Sequence, residues 1–184
     1  GRSMRHVEAI FSGFGGQGAL FAGQLLAYTG IAEDLHVTWI PSYGPEMRGG
    51  TAHCTVIVSE EEIGAPIIRN PGAAVVLNLP SMEKYEPLVK PGGLLVVNAS
   101  LVDVESERDD IDVVSIPASD IATELGNPRM ANVVLLGAFV EKTGIVSLET
   151  VEAQLEAHIS ARHEKWLEPN KEALHKGARL AREV

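Results

Sequence analysis

The sequence predicts an α/β fold, a three-layer α/β/α domain built on a mainly parallel sheet, with a helical C-terminal part over residues 147–184. Three observations carry this. Short apolar runs alternate with helix-period segments through the first 140 or so residues. A glycine-rich turn stands between the first run and the first helical segment. Beyond residue 147 only amphipathic helix patterns follow.

Residues 6–11 read as a strand that ends in glycines. Residues 17–31 place Leu20, Phe21, Leu25, Leu26 and Tyr28 at helical spacing. Residues 36–40 form a second strand closed by Pro41. Residues 51–58 alternate, with Ala52, Cys54, Val56 and Val58 on one face, as in an edge or antiparallel strand. Residues 74–79 and 94–97 are continuous apolar runs, the pattern of strands buried on both faces. Between them Ser81 is read as the cap of a helix reaching Val89, and residues 91–93 as a turn. Residues 113–116 make another strand and 119–125 a helix. Residues 131–142 make a buried helix stopped by Gly144, with two more helices over 147–162 and from Asn170. One domain covers 4–184, and Gly1, Arg2 and Ser3 read as a cloning remnant.

Composition narrows the chemistry. The 184 residues include one cysteine, which excludes an internal disulfide, a cluster held by this chain alone and a thiolate zinc site. A reducing, cytoplasmic setting is the simplest reading. The formal charge of −10 speaks against nucleic acid and anionic membranes as partners. The longest apolar run, residues 133–140, falls far short of the roughly 18 residues of a membrane span. No metal site is expected. His53 and Cys54 are adjacent on a strand and point apart, while His158 and His163 share no helix face. The acidic stretch 103–112 reads as a solvated surface, and Cys54 as a buried, inert thiol.

Two loops stand out. Gly13, Phe14, Gly15, Gly16, Gln17 and Gly18 satisfy G-x-G-x-x-G between a strand and a helix, the Rossmann-like context. There Gly13 would allow a tight turn, Gly15 the approach of a ligand, and Gly18 the packing of helix on strand. Gln17 would donate to a phosphate or cap the helix. Against a nicotinamide cofactor, the second strand ends in Trp39, Ile40, Pro41 and Ser42, with no acid for a ribose. A tight turn without nucleotide and a phosphate site both stay open. The second loop, residues 41–50, mixes turn formers with Tyr43, Glu46, Met47 and Arg48 before Gly49 and Gly50. Arg48 would grip a phosphate or carboxylate, or pair with Glu46. Tyr43 would meet a ligand or partner, or cover the sheet end. Asn132 would cap its helix or reach into the cleft.

Taken together, the glycine loop and the stretch Ser42, Tyr43, Gly44, Pro45, Glu46, Met47, Arg48, Gly49, Gly50 resemble the gamma subunit of 2-oxoacid:ferredoxin oxidoreductases. The segments Asn78-Leu79-Pro80-Ser81-Met82-Glu83, Ile116-Pro117-Ala118 and Gly126-Asn127-Pro128-Arg129-Met130-Ala131-Asn132 fit as well, so the resemblance spans about residues 7–156. It implies a subunit without catalytic residues of its own, in a complex that decarboxylates a 2-oxoacid oxidatively, forms an acyl-coenzyme A and reduces ferredoxin. Thiamine diphosphate with Mg²⁺ and the iron–sulfur clusters would belong to alpha, beta and ferredoxin-like delta subunits. Gly13, Gly15, Gly16, Gln17, Gly18, Tyr43, Glu46, Arg48, Gly49, Gly50 and Asn132 would face partners or cofactors. The second loop is nearer the 2-oxoglutarate and branched-chain versions than the pyruvate one. A stand-alone nucleotide-binding oxidoreductase is the rival reading, and a homodimer of the isolated chain is left open.

Overall fold

Successive side chains of a strand point to opposite faces, so the continuous apolar runs of the central strands bury both. In the computed structural model, which describes residues 4–42 and 51–184, six strands form one sheet. They are β1 (His6–Phe14), β2 (His36–Ser42), β3 (Thr51–Ser59), β4 (Ala73–Val76), β5 (Leu94–Asn98) and β6 (Asp112–Ile116), in the order β2-β3-β1-β4-β5-β6. β1, β4, β5 and β6 pair in parallel, and β3 runs antiparallel to β1 and β2. The expected mainly parallel sheet is present, with β3 as the one reversed strand.

Val7, Ala9, Phe11, Val75, Val96 and Val114 face one layer. It is built from α1 (Ala19–Ala32), α4 (Ala131–Thr143), α5 (Leu148–His158) and α6 (Leu167–Arg182), with α3 (Ala118–Glu124) beside them. Ile10, Ala74, Val76, Leu95 and Val97 face the other, where α2 (Leu79–Tyr85) brings Met82 and Tyr85. α4 is buried from Ala131 to Val140, as a stretch apolar but for Asn132 requires, and Phe139 meets Phe11 edge-on at 5.4 Å.

Several expected boundaries move, each for a local reason. β1 runs on through Gly13 to Phe14, because β3 pairs with it that far. β2 continues through Pro41, which an edge strand tolerates. β3 is the antiparallel strand its alternation allows, interior to the sheet rather than at its edge. β4 ends at Val76, so Leu79 belongs to α2. Ser81 does not cap α2. Asn78 does, its side chain accepting from the Ser81 N–H at 2.9 Å, and α2 stops at Tyr85, followed by a 3₁₀ turn containing Pro87. α5 ends at His158. α6 begins at Leu167, not Asn170, because Pro169 sits in a first turn whose N–H groups have no intrahelical partner anyway. The stop at Gly144 is as expected, and Ser147, where the next helix is expected to begin, caps it by accepting from the Thr150 N–H at 3.1 Å.

α4 and α6 cross backbone to backbone. A Cβ built on Gly137 would lie 2.9 Å from the Leu174 carbonyl carbon, and one on Gly177 2.7 Å from that of Val134, each closer still to the oxygen. Two glycines thus set the distance between the buried helix and the C-terminal one. Among the described residues no helix is long and apolar enough to cross a membrane.

A charged clasp closes the far end. Arg5 Nη2 lies 2.6 Å from Glu33 Oε1 and 2.6 Å from the Ile145 carbonyl oxygen, and the Ser147 N–H donates to Glu33 Oε2 at 2.8 Å. Burial alone would raise the Glu33 pKa. The Ser147 N–H, the Arg5 guanidinium and Thr150 outweigh it and hold the carboxyl below its ordinary 4.5. A depressed carboxylate pKa stabilises the fold above the ordinary value and ceases to do so as pH falls through the folded one. Glu33→Gln is therefore expected to cost about 2 kcal/mol at neutral pH. It should also flatten the loss of melting temperature below pH 4.5, read by calorimetry across pH.

Candidate functional site at the sheet's C-terminal edge

The connection from β1 through α1 goes to one side of β1, and that from β4 through α2 goes to the other, on the opposite face. Such a reversal, beyond the C-terminal ends of β1 and β4, is where α/β folds place ligands and contacts. The glycine loop lies there. So do the two ends of the second loop, since Thr51 pairs with Phe14 and Ser42 with His53. Tyr43, Glu46, Arg48, Gly49 and Gly50 themselves lie outside the described residues.

The loop is braced from three directions. Gln17 N–H donates to the Phe14 carbonyl at 3.0 Å, and Gln17 Oε1 accepts from the Phe14 N–H at 2.5 Å and from Asn78 Nδ2 at 3.2 Å. Gln17 therefore neither caps α1 nor offers its oxygen outward. Asn132 does not cap α4. It lies inside the helix and its Nδ2 donates to the Gly18 carbonyl at 3.0 Å, while Oδ1 accepts from Val133 N–H at 2.9 Å. A buried amide on α4 thus ties the start of α1.

The glycines divide the work differently from the motif's usual assignment. Gly13 is a strand residue, and a side chain there would meet Gln17 Oε1 at 2.7 Å and Leu77 Cβ at 3.0 Å. The turn is made by Gly16 and Gly18, with φ of 89° and 80°, a region that disfavours side chains. Gly15 and Gly16 have open space where a Cβ would stand, so this part of the loop is accessible to a ligand or partner. Phe14 beside them is 40% exposed. Gly18, as the α1 cap residue, has no side chain to satisfy the helix's first N–H groups.

Sequence reasoning underweighted Asn98 and the pair Ser12 and Ser81. Asn98 ends β5 fully buried. Its Nδ2 donates to the Leu77 carbonyl at 3.2 Å and to Ser119 Oγ at 2.9 Å, and its Oδ1 accepts from Ala118 N–H at 3.1 Å. Ser12 and Ser81 hydroxyls meet at 2.8 Å. The signal available was asparagine at the end of an apolar run, at 78 and again at 98. A buried amide at a strand's C-terminal end needs partners, and the adjoining loops supply them.

The side chains bracing the loop are neutral amides and hydroxyls, suited to holding a shape and offering hydrogen bonds rather than to moving protons. Tyr85, near His53 at a 5.8 Å ring separation, is pushed up to about 12 by burial and stays a protonated phenol. Burial likewise pushes the Cys54 thiol up to about 12, and its sulfur faces the Ala19 carbonyl at 3.7 Å, so it is an inert core group. Among the described residues no three His, Cys, Asp or Glu side chains are grouped to hold a metal. Beside Asn132 a cavity of about 330 Å³ opens, walled by Phe21, Met130, Val133 and Trp166, with Arg129 and His163 at it.

The chain's relatives agree with this architecture. Residues 8–180 match the family model described as pyruvate ferredoxin/flavodoxin oxidoreductase. The 2-oxoglutarate synthase subunit KorC of Methanocaldococcus jannaschii is 34% identical over 180 residues, covering 96% of this chain and 95% of that protein. The ketoisovalerate oxidoreductase subunit VorA of Methanothermobacter thermautotrophicus is 36% identical over 179 residues, covering 96% of this chain. The chain spans only about a third of the length of that subunit and of its counterpart in Methanothermobacter marburgensis (37% and 30%). In structure, the keto/oxoacid ferredoxin oxidoreductase gamma subunit of Geobacter sulfurreducens superposes with a TM-score of 0.84 at 30% identity over 97% of this chain and 99% of that one. The 2-oxoglutarate:ferredoxin oxidoreductase of Magnetococcus marinus, with 2-oxoglutarate, coenzyme A and succinyl-CoA bound, gives 0.88 at 26% identity over 99% of this chain and 32% of that one. A match running through every strand and helix from β1 into α6, in sequence and in fold, makes this chain a member of the pyruvate ferredoxin/flavodoxin oxidoreductase family.

Proposed function

We propose that the chain is the gamma subunit of a multi-subunit 2-oxoacid:ferredoxin oxidoreductase, acting as a single domain over residues 4–184 and inactive alone. The observation that carries this is the braced glycine loop. It is tied by hydrogen bonds, open at Gly15 and Gly16, flanked by exposed Phe14, and, among the described residues, supported by neutral amides and hydroxyls. Such an edge presents a surface to a neighbour and leaves the chemistry to it. Alpha and beta subunits holding thiamine diphosphate and Mg²⁺, a ferredoxin-like delta subunit holding the clusters, and ferredoxin itself would be the partners, in the cytoplasm. Coenzyme A, bound in the Magnetococcus marinus enzyme, would be the ligand at the open loop, and the relatives favour 2-oxoglutarate or a branched-chain 2-oxoacid as substrate. Gly13, Gly15, Gly16, Gln17, Gly18, Tyr43, Glu46, Arg48, Gly49, Gly50 and Asn132 form the proposed contact region.

Purification of the tagged chain from its native host tests this. A brown complex that reduces ferredoxin with a 2-oxoacid and coenzyme A is expected; a colourless chain eluting alone would overturn the proposal. Within that complex Arg48→Ala should lower turnover or assembly at least about tenfold, the effect of losing a bidentate guanidinium contact. The melting temperature of the isolated chain should stay the same. Unchanged assembly and turnover would make Arg48 a spacer.

A further inference from the structure

The end of the sheet opposite the glycine loop carries a feature that the oxidoreductase reading does not use. β3 ends at Ser59 and β4 begins at Ala73, on either side of β1. These strand ends stand roughly 10 Å apart, two strand spacings. Thirteen residues join them, enough for about 40 Å of chain. The surplus has no helix or strand structure and is tied only at its ends. The Glu61 N–H donates to Ser59 Oγ at 3.1 Å, Asn70 Nδ2 to the Leu88 carbonyl at 3.0 Å, and the Gly72 N–H to the Glu8 carbonyl at 3.0 Å. From residue 62 to 69 no backbone group makes a hydrogen bond to any described residue. Ile67 in this segment is 77% exposed, more than any other large apolar side chain described.

The order of residues in the segment is self-complementary. It reads Glu62, Ile63, Gly64, Ala65, Pro66, Ile67, Ile68, Arg69. Laid antiparallel on its own copy about the Ala65–Pro66 bond, it sets Glu62 against Arg69, Ile63 against Ile68, and Gly64, which has open space around it, against the large Ile67. Glu62 and Arg69 are both exposed, and neither makes an ion pair with a described residue. Beside the segment lies a groove of about 450 Å³ lined by Glu8, Ile67, Ile68, Arg69, Asn70 and Lys90. Lys90 there is paired with Glu8 at 3.6 Å, which leaves Arg69 to meet the Glu60, Glu61 and Glu62 run of a second chain. A two-fold contact uses one patch twice, so a patch that complements itself is the kind it needs.

We propose that residues 62–69 are a docking segment through which a second copy of this chain binds, with Glu62 of each copy on Arg69 of the other. The contact is independent of the oxidoreductase reading and lies away from the glycine loop. A single short segment buries little area, so the dimer is weak and reversible, with a Kd of about 10–100 μM. Sedimentation velocity on the full chain tests it across concentrations. Wild type is expected to pass from monomer to dimer. Glu62→Arg and Arg69→Glu should each weaken association at least about tenfold by placing like charges together at two symmetric positions. The doubly exchanged chain should return to within about threefold of wild type, since the pair is restored with its signs reversed. Both positions are exposed, and circular dichroism on each variant checks that the fold is kept. A wild type that stays monomeric up to about 0.5 mM, well above that Kd, overturns the proposal. So do single variants that associate like wild type, or a double variant that is not rescued.

Discussion

Gly177→Ala is expected to lower the stability of the chain by roughly 3 kcal/mol or more and its melting temperature by about 6–12 °C. The cause is steric. A methyl at 177 would stand 2.7 Å from the Val134 carbonyl carbon, inside van der Waals contact, and a backbone cannot swing aside as a long side chain can. α6 must then move off α4, which uncovers Leu174, Ala178 and Ala181, all fully buried. Gly137→Ala, on the facing helix, strikes the Leu174 carbonyl and should cost a similar amount. Gly72→Ala is the control, because its new methyl would find only the Glu8 carbonyl oxygen at an ordinary 3.8 Å. Calorimetry of the three variants separates the crossing from a general sensitivity to losing glycine. Equal melting temperatures for all three would mean that the helices do not cross at backbone contact.

The second large effect is expected at Gly18. Alanine there pays twice, for a φ of 80° and for a methyl 3.0 Å from Asn132 Cγ and nearer still to its amide nitrogen. The left-handed conformation costs about 1–2 kcal/mol, and the clash either breaks the Asn132 bond to the Gly18 carbonyl or displaces α1, for a combined loss of about 3 kcal/mol. The two contributions can be separated by a double-mutant cycle. In an Asn132→Ala background the clash is absent, so Gly18→Ala should then cost only the conformational part, about 1–2 kcal/mol. Strict additivity of the two substitutions would show that Asn132 does not press on the loop. Because the loop is the proposed contact region, Gly18→Ala should also reduce assembly with the proposed partner subunits even where the chain still folds.

Much of the fold was legible one element at a time. The runs 74–79 and 94–97 announce strands covered on both faces, and β4 and β5 are buried at every position. The apolar stretch beginning at Ala131 announces a helix with no exposed side, which α4 is over ten residues. What could not be read were the bonds between distant segments. Asn132 reads as a cap, as asparagine near a helix start commonly is, or as a group reaching into the cleft, and residue order does not give its partner, the Gly18 carbonyl 114 positions away. Ser81 reads as a cap for the same reason, and the true cap three residues earlier was hidden in what reads as the end of a strand. Gly13 reads as the turn glycine because it comes first in the motif. Its pairing with Ala52, set by β3, keeps it in the strand and leaves the turn to Gly16 and Gly18.

The division follows from the range of the forces involved. Hydrophobic periodicity, capping and glycine's tolerance of positive φ act within a turn or two of chain, so strands, helices, the glycine loop and the α/β class could all be inferred from residue order. The reversal of β3, the crossing of α4 and α6 at Gly137 and Gly177, and the bracing of the glycine loop by Gln17, Asn78 and Asn132 arise where segments far apart in sequence meet. There, close packing and the need to pair every buried amide choose among arrangements that the local pattern allows equally, and only the folded chain makes that choice.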